Sequence, residues 1–125
     1  MKVYVAAAFE RRRDAEEAAG IIRRAGHLVV SSWHKVDTGK KYDPEDVSVM
    51  SVIAERDLDE LAMAGVIVVL TDGVESHGGK HVETGVAIGD GKRVIVVGPR
   101  ENVFHSLSEI IVVDSIEEAV AAIAR

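Results

Sequence analysis

"VIVVLTDGVESHGGKHVETGVAIGDGKRVIVVG", Val66 to Gly98, contains a complete structural unit. It opens on an apolar run, Val66 to Thr71, and passes through a glycine-rich turn. A segment of helical period follows, about His81 to Gly89, and then a second apolar run, Arg93 to Gly98. Runs of valine and isoleucine without alternation are what strands covered on both faces require, and two such strands joined by a helix pair in parallel. The turn residues Gly78 and Gly79 sit where the chain leaves the first strand and starts the helix.

The same alternation continues on both sides of this unit. Further candidate strands are Lys2 to Ala8, His27 to Trp33 and Glu109 to Asp114; further candidate helices are Arg11 to Ala25, Pro44 to Ala64 and Ile116 to Ala124. Gly26 and Gly65 follow the first two helices, positions where glycine accepts a left-handed cap. Five strands and four helices in this order predict an α/β fold: one doubly wound, five-stranded parallel sheet, flavodoxin/Rossmann-like, forming a single domain over residues 1–125. Such sheets bind ligands beyond the carboxyl ends of their strands, which points to the loops after strands one, three and four.

Composition narrows the function classes. At 125 residues with 47% hydrophobic content the chain can bury a core without staples, and with no cysteine it has no thiol nucleophile, thiolate metal site or disulfide. That composition suits a reducing, cytoplasmic setting. A formal net charge of −6 argues against a nucleic-acid polymer as partner, although single small phosphates remain open. The apolar runs are far shorter than the ~20 residues of a membrane span, and Met1-Lys2 leads straight into a strand without a signal-like segment.

Phosphate-loop patterns fail in the glycine turn. From Gly73 and Gly78 the lysine falls one place late, at Lys80, with His81 where a serine or threonine would hold magnesium; the first loop, "AAAFERR", has no glycine for a dinucleotide fingerprint. His77 and His81 have helical metal-ligand spacing but no third ligand, and read as rim residues, so neither metal nor cofactor is expected. There remains Glu83, a carboxylate early in a helix, where backbone N–H groups and the dipole favour the ionised form. It reads either as a capping glutamate or as a nucleophile. In "VIAERDLDELAMAG", Ile53, Leu58 and Leu61 mark an apolar face and Asp57 lies on the row joining Ile53 to Leu61, while Glu55, Asp59 and Glu60 read as exposed. Asp57 alone reads as a boundary residue. Two inward carboxylates near one strand are also what glycosidic bond cleavage uses, one attacking the anomeric carbon and one assisting the leaving group.

The segments "VYVAAAF", "RDLDELAMAGVIVVLTDG", "GGKHVETGVAIGDGKRVIVVGP" and "RENVFH" together resemble the nucleoside 2-deoxyribosyltransferase family, including its nucleotide N-glycosidase branch. The most specific element is the glycine, spacer, Glu, x, Gly, x, Ala pattern of Gly79, Glu83, Gly85 and Ala87. The resemblance implies that Glu83 forms a covalent ribosyl ester, that Asp57 engages the leaving base, and that Tyr4 lines the sugar pocket. It also implies a homodimer or higher homo-oligomer, with the loop "GPRENVFH" reaching a neighbouring subunit's site. Phe9 in the first loop and Asn102 in that later loop join the candidate substrate-binding residues.

Two departures bear on the substrate. The first loop reads "AAAFE" where transferases of this family carry "GPF" or a glycine, and Ser76 and His77 stand where they place an acidic residue for the sugar 5'-hydroxyl. A hydroxyl and an imidazole tolerate a phosphate that a carboxylate would repel. Arg11, Arg12 and Arg13 oppose the dipole of the helix they open, which suits an anion held by Arg11, Ser76, Gly78 and Gly79; they read equally as a solvated cluster paired with Glu16 and Glu17. Trp33, before the polar loop "HKVDTGKKYD", either stacks on a base or covers the core. The expectation is a cofactor-independent enzyme that cleaves the N-glycosidic bond of a (deoxy)nucleoside or nucleoside 5'-monophosphate, by hydrolysis or transfer. The alternative from another class is a non-catalytic nucleotide-binding or signalling module on the same fold.

Overall fold

The computed structural model describes residues 1–35, 43–73 and 77–125. Five parallel strands, β1 (Lys2–Ala6), β2 (Leu28–Val29), β3 (Val66–Leu70), β4 (Arg93–Val97) and β5 (Ile111–Val113), form one sheet in the order β2-β1-β3-β4-β5. The helices are α1 (Arg12–Arg24), α2 (Val47–Met63), α3 (Gly79–Gly89) and α4 (Ile116–Ile123). This is the doubly wound arrangement the alternation predicts: α1 packs beside α4 and α2 beside α3, two helices to a face. Among the described residues no helix is long and apolar enough to cross a membrane.

The central strand explains the apolar runs. All five residues of β3 are buried, flanked by β1 in the register Tyr4 to Ile67 and by β4 in the register Ile67 to Val94. Helices close the layers with small residues: α1 buries Ala15, Ala18, Ala19 and Ile22, and α4 buries Ala119, Ala122 and Ile123. Alanine at these spacings lets a helix lie close to a valine-rich sheet. Between β3 and β4 the backbones converge so tightly that a Cβ on Gly98, whose φ is 123°, would stand 2.3 Å from the carbonyl oxygen of Thr71. Only glycine fits there.

Several boundaries differ from the sequence reading. β2 has two residues and not the seven from His27 to Trp33, because side chains replace the ladder beyond Val29. The Ser31 hydroxyl accepts from Val5 N–H (3.0 Å) and Trp33 Nε1 donates to Val5 O (2.7 Å), so both backbone groups of Val5 are satisfied without a strand. β1 stops at Ala6 where a 3₁₀ turn, Phe9–Arg11, prepares the entry to α1. α2 starts at Val47 and not at Pro44, since the Asp46 carboxylate accepts from Val49 N–H and caps it. Gly26 adopts the expected left-handed cap after α1, with φ 95° and bonds from Gly26 N to Arg23 O and from His27 N to Ile22 O. Gly65 does not, since its N–H already bonds to Lys2 O at the sheet edge. α2 also buries less than its pattern predicts. Leu61 is its one buried residue and Leu58 is 43% exposed, because Ile53, Asp57, Glu60 and Leu61 share the inward face and Leu58 points more than a right angle away from Ile53.

Candidate active site

Tyr4, the middle residue of β1, and Glu83 on α3 meet between the sheet and that helix. The Tyr4 side chain is wholly buried, and its hydroxyl donates a hydrogen bond to Oε2 of Glu83. Tyr4 therefore stands behind the carboxylate. Gly78, with φ 90°, turns the chain so that α3 begins at Gly79, two residues before the expected start, and Glu83 becomes the fifth residue of the helix. The dipole has little hold at that depth. Burial dominates instead and pushes Glu83 from an ordinary 4.5 up to about 7, the Tyr4 bond pulling it down and the charge of Asp57 pushing it further up. The expectation of a dipole-held, fully ionised Glu83 is thus corrected: it titrates near neutral pH.

Asp57 comes from α2, with its side chain 22% exposed and one oxygen 3.4 Å from a guanidinium nitrogen of Arg56. Burial raises its pKa while Arg56 opposes the rise. Its charge acts on both Glu83 and Tyr4, so the three groups share one field. Tyr4, buried and under the charges of Glu83, Asp57 and Glu60, is held far above the ordinary phenol value and stays a donor. A carboxylate steadied by one O–H on Oε2, with a second carboxyl group of raised pKa nearby, can pair a nucleophile with a proton donor.

The other candidates are placed unevenly. Arg11 follows β1, its Nε 3.1 Å from Asp14 and 3.7 Å from Asp72, while its buried Nη1 has no hydrogen-bond partner among the described residues. Arg12 lies over the ring of Phe9, which is itself half exposed. Glu16, expected beside these arginines, pairs with Arg23. Trp33 is 7% exposed, in the core cluster. Asn102 caps the 3₁₀ turn Val103–Ser106 through Phe104 N–H and reaches His81 Nδ1 at 3.3 Å. Gly78 and Gly79 lie at the start of α3, and Ser76 falls outside the described residues, as does most of the loop after Trp33.

Three features escaped the sequence reading. Glu60, expected to be exposed, accepts from the N–H (2.9 Å) and hydroxyl (2.6 Å) of Ser32, tying the loop after β2 to α2. Lys80 is buried and pairs with Glu101 at 2.7 Å. Its burial was readable, since Lys80, Thr84 and Ala87 recur at i, i+4 and i+7 on the face α3 turns inward. Ser31, His34 and Glu16 form a third row, with Ser31 Oγ 2.7 Å from His34 Nε2 and His34 Nδ1 3.5 Å from Glu16. It looks like a hydrolase triad, but Ser31 is 1% exposed and already accepts from Val5, which makes the row an internal strut.

The solved structures of similar shape carry this arrangement of strands and helices. A 2-deoxyribosyltransferase from Bacillus psychrosaccharolyticus superposes with a TM-score of 0.75 at 17% identity, covering 96% of this chain and 90% of its own. The chain has the fold of a 2-deoxyribosyltransferase. The Clostridium botulinum CMP N-glycosidase superposes with a TM-score of 0.63 at 16% identity, covering 99% and 98%, and a conserved protein from Enterococcus faecalis V583 with 0.69 at 17%, covering 99% and 97%. At these identities the shared property is the fold. No protein-family model and no curated protein matches the sequence.

Proposed function

We propose that this chain belongs with the nucleoside 2-deoxyribosyltransferases and nucleotide N-glycosidases, and cleaves the N-glycosidic bond of a (deoxy)nucleoside or its 5'-monophosphate. The observation that carries the reading is the Tyr4–Glu83 hydrogen bond between β1 and α3, inside the field of Asp57. Tyr4 occupies Oε2 and leaves Oε1 of Glu83 to attack C1' of the sugar. As the C–O ester bond forms, the C–N bond breaks through an oxocarbenium-like transition state, and the departing base takes a proton from Asp57. Water or a second base then attacks C1', giving its proton to Asp57 and releasing the Glu83 carboxylate. Supporting a 5'-phosphate are Nη1 of Arg11, buried without a hydrogen-bond partner among the described residues, and the N-terminus of α3, both beyond the same strand ends.

The test is release of free base from a panel of nucleosides and 5'-monophosphates, with and without a second base. Parent protein should release base from at least one of them, and Glu83→Gln should lower that rate by about a thousand-fold or more, because an amide fits the space but forms no ester. Binding of a nucleotide without base release would favour the signalling module, and activity retained within a few-fold in Glu83→Gln would end the nucleophile assignment.

A further inference from the structure

The loop after β4 places a second buried carboxylate beside this site. Glu101, its side chain 8% exposed, brings Oε1 within 2.7 Å of Lys80 Nζ, and the Lys80 side chain is 1% exposed. Its Oε2 accepts from the N–H of Gly73 at 2.7 Å and of Asp72 at 3.3 Å. Behind it, Glu101 N–H donates to Nδ1 of His105, a buried ring that fixes the backbone from the far side. One carboxylate therefore grips the chain both where it leaves β3 and where it enters α3.

Stability alone is a poor reason for such a pair. Taking an ammonium and a carboxylate out of water costs several kcal/mol, and well-packed apolar side chains often serve as well. What the ionic version supplies is geometry, since two adjacent backbone N–H groups on one carboxylate oxygen and an ammonium beside the other define both the separation and the orientation of the groups they join. The joined groups are the exit of β3 and the first turn of α3, the helix that carries Glu83. Glu83 has its own anchor in Tyr4. Loss of the grip would thus displace the helix start more than the carboxylate.

Resting on the glycosidase reading, we propose that Glu101, together with Lys80, is a positioning residue for substrate binding, fixing the start of α3 against the exit of β3. Such a residue acts on KM more than on kcat. Glu101→Gln keeps an oxygen for Gly73 N–H but leaves the Lys80 ammonium buried and unpaired; the double variant Lys80→Met with Glu101→Gln removes that charge and keeps the protein folded where the single variant fails. With the best substrate of the panel, either variant should raise KM by about tenfold while kcat stays within about threefold. Hydrogen exchange of the Asp72, Gly73 and Lys80–Glu83 amides should also quicken by about tenfold relative to β1 and β5. Parent KM together with parent exchange rates in the folded double variant would overturn the proposal, and so would an equal loss in kcat at unchanged KM. A parent protein that releases no base from any substrate defeats the glycosidase reading instead, and the exchange rates then decide whether Glu101 holds the two chain ends.

Discussion

At Glu83 two opposing effects meet, and their balance is measurable. Burial favours the protonated acid, while the Tyr4 hydroxyl favours the carboxylate, and the result lies near 7. A folded-state value raised above the ordinary 4.5 means that folding favours protonation. The stability this gives is fully present below about pH 4.5 and is lost as pH rises to about 7. Glu83→Gln, which keeps an acceptor for Tyr4 but never ionises, should therefore unfold later than the parent at pH 8, by at most about 3 kcal/mol, and at about the same denaturant concentration at pH 4. Equal midpoints at both pH values would show that Glu83 is ionised as freely as in water. Kinetically, kcat/KM should rise with pH along an acid limb near 7, an apparent value belonging to the Glu83–Asp57 pair. Tyr4→Phe removes the bond that lowers the pKa of Glu83, so the limb should move to higher pH and the rate at pH 7 should fall by about tenfold. An unmoved limb would mean that Tyr4 serves the core alone.

The elements show which signals in the sequence are local. Ser115 caps the start of α4, its hydroxyl accepting from Glu118 N–H at 3.1 Å and donating to the Glu118 carboxylate at 3.2 Å, and nothing beyond four residues is needed to read it. Ser115→Ala should cost about 1 kcal/mol in denaturant unfolding and leave base release unchanged, since α4 lies at the far side of the sheet from α3. The Schellman turn at Gly26 was equally legible, because a lone glycine after a helix-period run favours the left-handed conformation where no distant partner claims its N–H. β2 and Gly65 were not. There the chain uses partners from β1 that are more than twenty residues away: the Val5 backbone for Ser31 and Trp33, and Lys2 O for Gly65. Strand propensity extends β2 to Trp33, and those side-chain bonds end it at Val29.

For the whole molecule, the order β2-β1-β3-β4-β5 places the connection to α3 next to the loop after β1. That adjacency is why Tyr4, seventy-nine positions from Glu83 in the chain, can hydrogen-bond to it. It also leaves apolar surface uncovered: Val52 on α2 and Val82 on α3 are 65% and 64% exposed, and Phe104 after β4 is 59% exposed. Burying such residues stabilises an assembly at about 25 cal/mol per Å² of apolar area. The homo-oligomer expected from the family resemblance would cover them, and light scattering should then report at least twice the chain mass. Val82→Glu should shift that mass towards the single chain, and a monomeric parent at tens of micromolar would remove the expectation.

By itself the sequence determined the strand–helix alternation, the buried central strand and the presence of two inward carboxylates, because periodicity and apolar runs are properties of neighbours along the chain. Asp57 on its inward row and Glu83 after the glycine turn could be found that way. The chemistry of those groups could not. Whether Glu83 is ionised depends on how deeply the sheet and α2 bury it and on a tyrosine delivered by another strand, and burial is a sum over residues from every part of the chain. Lys80 and Glu101 make the same point: the period of α3 turns Lys80 inward, but its partner lies twenty-one positions away on another loop, and only packing takes the two charges out of water together. Only the tertiary structure sets local dielectric and long-range pairing, and these decide which charges are chemical groups and which are struts.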